Sequence, residues 1–83
     1  MSETRYPVST EDLRKTVRTA WAEALGREDF EDDDYFFSVG GNSIGAIRVM
    51  RAIGGSVGTK LPVRMLFDHQ TVNALSAAIR DSL

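Results

Sequence analysis

The chain has 83 residues, no cysteine and a single histidine, with 10 basic against 12 acidic residues and a formal net charge of -2. That length gives one thin-cored domain, and the missing thiols exclude disulfides, thiolate zinc sites and cysteine nucleophiles. The acidic balance lacks the basic field of a nucleic-acid binder, and no apolar run is long enough for a membrane span or signal peptide.

Residues 1–83 read as a single domain, of which residues 1–8 form a flexible N-terminal arm. Ser9 precedes Thr10, Glu11 and Asp12, an N-cap followed by acidic residues in the first turn. Leu13, Val17, Ala20, Trp21, Ala24 and Leu25 recur at helical spacing, and Gly26 is a natural stop. The pattern predicts a first helix over residues 10–25.

Residues 26–42 predict a long loop. Glu28, Asp29, Glu31, Asp32, Asp33 and Asp34 make its first half acidic, while Phe30, Tyr35, Phe36, Phe37 and Val39 are expected to tie it to the core. We read the acidic run as a solvated face, with Asp34 placed to cap a local turn. A calcium site does not fit, because Phe30 interrupts the run and the EF-hand spacing is absent. Trp21 and the Phe36-Phe37 pair are expected in the core, and His69 in a loop.

A second helix is expected from Ser43 to about Ile53, or one turn further. Gly54, Gly55 and Gly58 weaken its end, since a glycine costs about 1 kcal/mol of helix propensity relative to alanine. Leu61-Pro62 leads into a short third helix over residues 63–67, with Pro62 near its first position. Thr71 caps a fourth, whose apolar stripe is Val72, Leu75, Ala78 and Ile79. These elements predict an all-α fold, a small bundle of three longer helices and one short one.

On the second helix, Ala46, Val49, Met50 and Ile53 form the core stripe. Ile44 and Arg51 fall on roughly the opposite side, with Ile47 and Arg48 at the flanks. An isoleucine exposed beside two arginines points to a partner surface, although lone surface hydrophobes are common.

Ser43 opens this helix. By itself a serine there is a plain N-cap. Gly40 and Gly41 permit positive φ and strip the preceding loop of bulk, so another protein's backbone can come close. A helix start also offers free N–H groups and the positive end of the macrodipole, which suit a phosphate ester on the hydroxyl. A catalytic serine would need a base and an oxyanion hole. Asn42 is no base, and His69 lies in another segment without an orienting acid. The Gly40–Gly45 string also lacks the spacing, strand and lysine of a nucleotide-binding loop.

Three segments carry a family resemblance. Trp21-Ala22-Glu23-Ala24-Leu25-Gly26 is similar to the end of a carrier protein's first helix. Asp34 through Ser43 resembles an attachment motif of Asp, two aromatics and Gly-Gly-x-Ser. Leu61-Pro62-Val63-Arg64-Met65-Leu66-Phe67 followed by Thr71-Val72 is similar to the third-helix signature of peptidyl carriers. With order and spacing kept, the chain resembles the peptidyl carrier proteins, or thiolation domains, of nonribosomal peptide synthetases. These belong to the phosphopantetheine-binding carrier superfamily. Five positions depart from the usual pattern. Asn42 stands where His or Asp is common, Gly54 and Gly55 replace charged residues, Val57 replaces an aromatic, and Gln70 replaces a proline.

The resemblance implies a non-catalytic phosphoprotein with the acyl-carrier type of helical bundle and no metal site. A 4'-phosphopantetheine arm from coenzyme A would be attached to Ser43, with Asp34, Gly40, Gly41 and Asn42 as the attachment loop. The arm would hold an aminoacyl or peptidyl group as a thioester for nonribosomal peptide or related natural-product biosynthesis. The implied partners are a phosphopantetheinyl transferase using magnesium, an adenylating enzyme, and condensation or tailoring enzymes. Ile44, Ile47, Arg48, Arg51 and Met65 would bind them. We expect a cytoplasmic monomer with neither nucleic acid nor membrane as partner. Met1-Ser2-Glu3 and the lack of a linker at Leu83 lean towards a free-standing carrier. An acyl carrier of fatty-acid or polyketide type and an unmodified helical docking module remain as alternatives.

Overall fold

Ser9 turns the chain into the first helix, its hydroxyl accepting the Asp12 amide at 3.1 Å. A computed structural model describes residues 9–83, so the expected arm over residues 1–8 lies outside the described residues. Helix α1 spans Thr10–Leu25 and ends at Gly26, whose left-handed φ of 71° lets its N–H reach the Ala22 carbonyl. A 3-10 turn covers Phe36–Val39, followed by α2 over Ser43–Val57, α3 over Arg64–Asp68 and α4 over Val72–Ser82. Among the described residues there is no strand. Nor, among the described residues, is any helix long and apolar enough to cross a membrane.

The expected stripes meet in one core. Helix α1 packs on both α2 and α4, and α3 closes against α4. Leu13, Val17, Ala20 and Trp21 of α1 share one buried cluster with Ala46, Val49, Met50, Ile53 and Val57 of α2, and Phe30, Phe36, Leu66, Val72, Leu75 and Ile79 complete it. On α4 the stripe differs from expectation, because Ala78 is only half-buried while Ser76 is buried. Ser76 enters the core without an orphaned donor, since its hydroxyl donates to the Val72 carbonyl at 2.7 Å.

The acidic loop is fastened to the helices, which corrects its reading as a merely solvated face. Arg18 of α1 donates to Asp32 at 2.7 Å and to the Phe30 carbonyl at 2.6 Å, and its guanidinium lies 4.2 Å from the Phe30 ring centroid. Arg14 approaches the same Asp32 carboxylate at 3.8 Å. Asn73 of α4 donates its side chain to Asp33 at 2.8 Å and its amide to the Asp32 carbonyl. A single exposed ion pair contributes at most about 1 kcal/mol. Here the pairs also satisfy backbone carbonyls, so they set the path of the loop.

The third-helix bounds shift, and α2 takes the longer of the two extents expected for it. The third helix starts one residue late, with Val63 as its N-terminal flank. Helix α2 runs one turn past Ile53 to Val57, where Gly58 ends it with φ 74°. The two glycines inside that turn are not alike. A Cβ on Gly54 would sit 2.7 Å from the Thr59 carbonyl oxygen, a backbone atom, whereas a Cβ on Gly55 would meet nothing within 4 Å. Close approach of the chain therefore requires Gly54, and nothing in the packing requires Gly55. We predict that Gly55→Ala stabilises the domain by up to about 1 kcal/mol through helix propensity. Gly54→Ala should destabilise it by about 1–3 kcal/mol through overpacking. Thermal melts of the two variants check the opposite signs.

Candidate functional site

The approach to Ser43 is built on Phe36. Its ring is fully buried and stands edge-on to Trp21 at 5.0 Å. Its amide donates to the Gln70 carbonyl ahead of α4, and its carbonyl accepts the Gly41 amide, each at 2.9 Å. Gly40 takes a φ of 107°, a region that side-chain-bearing residues rarely adopt. Gly41 does not use positive φ, contrary to expectation. It is glycine because a Cβ would lie 2.4 Å from the Phe36 ring and 2.7 Å from its carbonyl oxygen. Arg27 fastens the same turn from the other side, donating to the Val39 carbonyl at 3.1 Å and to Asp29 at 2.6 Å. The hydrogen bond from Arg27 holds the Asp29 carboxyl below its ordinary pKa. That small contribution is present above the ordinary carboxylate range and fades on acidification.

Asn42, and not Ser43, caps α2. Its backbone is extended at φ -143° and ψ 178°, and its side-chain oxygen accepts the Gly45 amide at 2.7 Å. Its carbonyl accepts the Ala46 amide at 2.9 Å. Asparagine is as good an N-cap as serine, so the cap falls one residue earlier than the sequence pattern placed it. Ser43 becomes the first helical residue. It is exposed, and its hydroxyl makes no hydrogen bond among the described residues. Neither its own amide nor that of Ile44 has an acceptor there. The arrangement offers an unencumbered hydroxyl beside two free N–H groups, which suits a phosphodiester.

Nothing in the arrangement activates that hydroxyl. His69 sits exposed at the end of α3, and the described residues contain no group of three metal-binding side chains. Gly40, Gly41 and Asn42 directly shape the approach to Ser43. Asp34 does different work upstream, accepting the Glu31 amide at 2.8 Å and returning its own amide to the Glu31 carbonyl. It closes the turn, as expected.

The surface of α2 and α3 holds the remaining candidates. Ile44 is 65% exposed and Ile47 43%, and Arg48 and Arg51 are exposed beside them. Met65 is half-buried and packs against the core. A groove of about 420 Å³ runs beside them, bordered by Ile47, Arg51, Lys60 and Val63. Two aromatics expected to point inward do not. Tyr35 is 58% exposed, and Phe37 lies flat on Phe67 with centroids 5.5 Å apart and both rings partly in solvent. Phe36 and Phe37 are neighbours in a tight turn, so only one can enter the core. Phe67 follows the buried Leu66 on a short helix and must point away from it. That adjacency was the available signal for an exposed aromatic pair.

The comparisons with known proteins agree with this geometry. The family model described as the phosphopantetheine attachment site matches residues 15–79, and the chain belongs to that family. It is a non-catalytic carrier domain that bears 4'-phosphopantetheine covalently. Its relatives make it a peptidyl carrier, or thiolation, domain. Over 70 residues it is 42% identical to a plipastatin synthase of Bacillus subtilis (strain 168), covering 84% of this chain and 2% of the synthase. It is 33% identical over 70 residues to a surfactin synthase of the same organism, covering 84% of this chain and 6% of that protein. In fold it is similar to a type-II acyl-carrier protein from Streptomyces verticillus involved in bleomycin biosynthesis. There the TM-score is 0.84, with 29% identity and 88% of each chain covered.

The geometry separates the cap from the candidate attachment point. We predict that Asn42→Ala costs about 0.5–2 kcal/mol of stability. Ser43→Ala should stay within about 0.5 kcal/mol. Urea unfolding of the two variants measures the difference.

Proposed function

We propose that Ser43 is the attachment residue and that this domain carries an aminoacyl or peptidyl group for nonribosomal peptide or related biosynthesis. One observation carries the reading most: the exposed Ser43 hydroxyl is released from capping by Asn42 and flanked by two free amides. In the modification, the Ser43 oxygen bonds to the phosphorus of the pantetheine phosphate of coenzyme A. The pyrophosphate bond to the nucleotide side breaks, adenosine 3',5'-bisphosphate leaves, and the hydroxyl proton passes to a base of the transferase. When bound, the arm supplies the thiol that holds the acyl group as a thioester.

The chain's own residues present and receive. The Ser43 and Ile44 amides and the α2 dipole favour the phosphodiester by about 0.3–1 kcal/mol in an exposed setting. Gly40 and Gly41 keep side chains out of the transferase's way. The partners in this reading are a phosphopantetheinyl transferase, an adenylating enzyme, and condensation or tailoring enzymes. They meet a cytoplasmic monomer on Ile44, Ile47, Arg48, Arg51 and Met65. The synthase relatives support the peptidyl cargo.

Incubation with a broad-specificity transferase, magnesium and coenzyme A should add one arm, seen as a single step in intact mass. Ser43→Ala, confirmed as folded, should add none, and full modification of that variant overturns the assignment. A second prediction concerns Ile47. Because its side chain is 43% exposed and outside the core, Ile47→Asp should cost no more than about 1 kcal/mol of stability, yet slow loading by at least one partner. A melting curve beside a loading assay on the same variant checks both halves. A buried position would instead cost several kcal/mol, because a charge would lose its water.

A further inference from the structure

The charges of this chain are sorted along it. No Asp or Glu stands between Asp34 and Asp68, and that interval holds Arg48, Arg51, Lys60 and Arg64. The structure gathers most of these charges on one side. Helix α2 carries Arg48 and Arg51, both exposed, and no carboxylate. Arg51 and Lys60 border the groove together with Ile47, Met50 and Val63.

These cations have no work in the fold. Arg14, Arg18, Arg27 and Arg64 each have a carboxylate partner, the last through Asp68 at 3.5 Å. Arg48, Arg51 and Lys60 form no ion pair among the described residues. Two acids of the loop, Asp32 and Asp33, are meanwhile engaged by α1 and α4. Three unpaired cations around an exposed isoleucine therefore make a surface of one sign, in a chain whose net charge has the other.

We propose that this α2 face docks partner enzymes whose own surface presents carboxylates around an apolar spot for Ile47. Electrostatic attraction would set how fast they associate. The inference rests on the carrier reading and adds to it the sign of the partner. Charges of this kind act mainly on encounter rate and on the exclusion of wrong partners. A partner with a basic docking patch would face three like charges and be rejected.

The test uses the holo protein, with its arm verified by intact mass, and the adenylating enzyme that loads it. Loading kcat/KM should fall about tenfold or more between about 0.05 M and about 0.5 M salt, as the Debye length shrinks from roughly 14 Å to roughly 4 Å. The Arg48→Glu/Arg51→Glu/Lys60→Glu variant, with an unchanged melting temperature, should lose a similar factor at low salt and respond little to further salt. Lys15→Glu is the control for net charge, since Lys15 is exposed on α1 beside Thr19 and Glu23. It should load like the wild type. Salt-independent loading, or a charge-reversed variant that loads as fast as or faster than the wild type, overturns the proposal. Failure of the arm to attach to Ser43 is read separately, in the mass spectrum, and overturns the carrier reading itself.

Discussion

The rest of the structure depends on one buried ring. Phe36 packs edge-on to Trp21 in the core, takes the Gly41 amide on its carbonyl and gives its own amide to Gln70. Gly41 comes so close to it that a Cβ would lie 2.4 Å from its ring, while a Cβ on Gly45 would lie in ordinary contact with it at 3.4 Å. A buried phenylalanine is worth about 3–5 kcal/mol against alanine. Here that energy does more than stabilise. It fixes where the loop from α1 ends and where α2 begins, and so places the first turn of α2 against the core. Glycine at position 41 is the steric consequence of this contact.

The second constraint is a division of labour between neighbours. A helix start needs a side chain to satisfy its amides, and a modified serine needs a hydroxyl that is not already engaged. Asn42 takes the first task and leaves the Ser43 hydroxyl unengaged, as the proposed attachment requires. A carrier domain supplies no catalytic group of its own. What it contributes is position: a free hydroxyl at a helix N-terminus, on a loop without bulk, next to a helix face with Ile44 and Ile47 in solvent. Function here comes from what the fold leaves uncovered.

Much of this was legible in the sequence, for physical reasons that can be named. The α1 limits followed from Ser9 and Gly26, whose capping roles depend on local backbone geometry alone. The core stripe of α2 followed from helical periodicity. What escaped was tertiary. Asn42 and Ser43 are equally good caps in isolation, and only the path imposed by Phe36 decides between them. Gly54 and Gly55 look the same until the Thr59 carbonyl is in place. The acidic run reads as solvated until Arg18 and Asn73 arrive from two different helices. Phe37 looks like core until its neighbour takes that place.

The central claim is that a rigid, Phe36-anchored loop presents an uncapped Ser43. Amide hydrogen exchange resolved by residue tests it most directly. The Gly41 and Gly45 amides, bonded to Phe36 and Asn42, should exchange slowly, approaching the protection of core amides such as Met50. The Ser43 and Ile44 amides, one and two residues from the cap, should exchange nearly as fast as in a free peptide. Fast exchange at all four positions would show a mobile loop and contradict the account. Protection at Ser43 and Ile44 would contradict it too, because the helix start would then be already occupied.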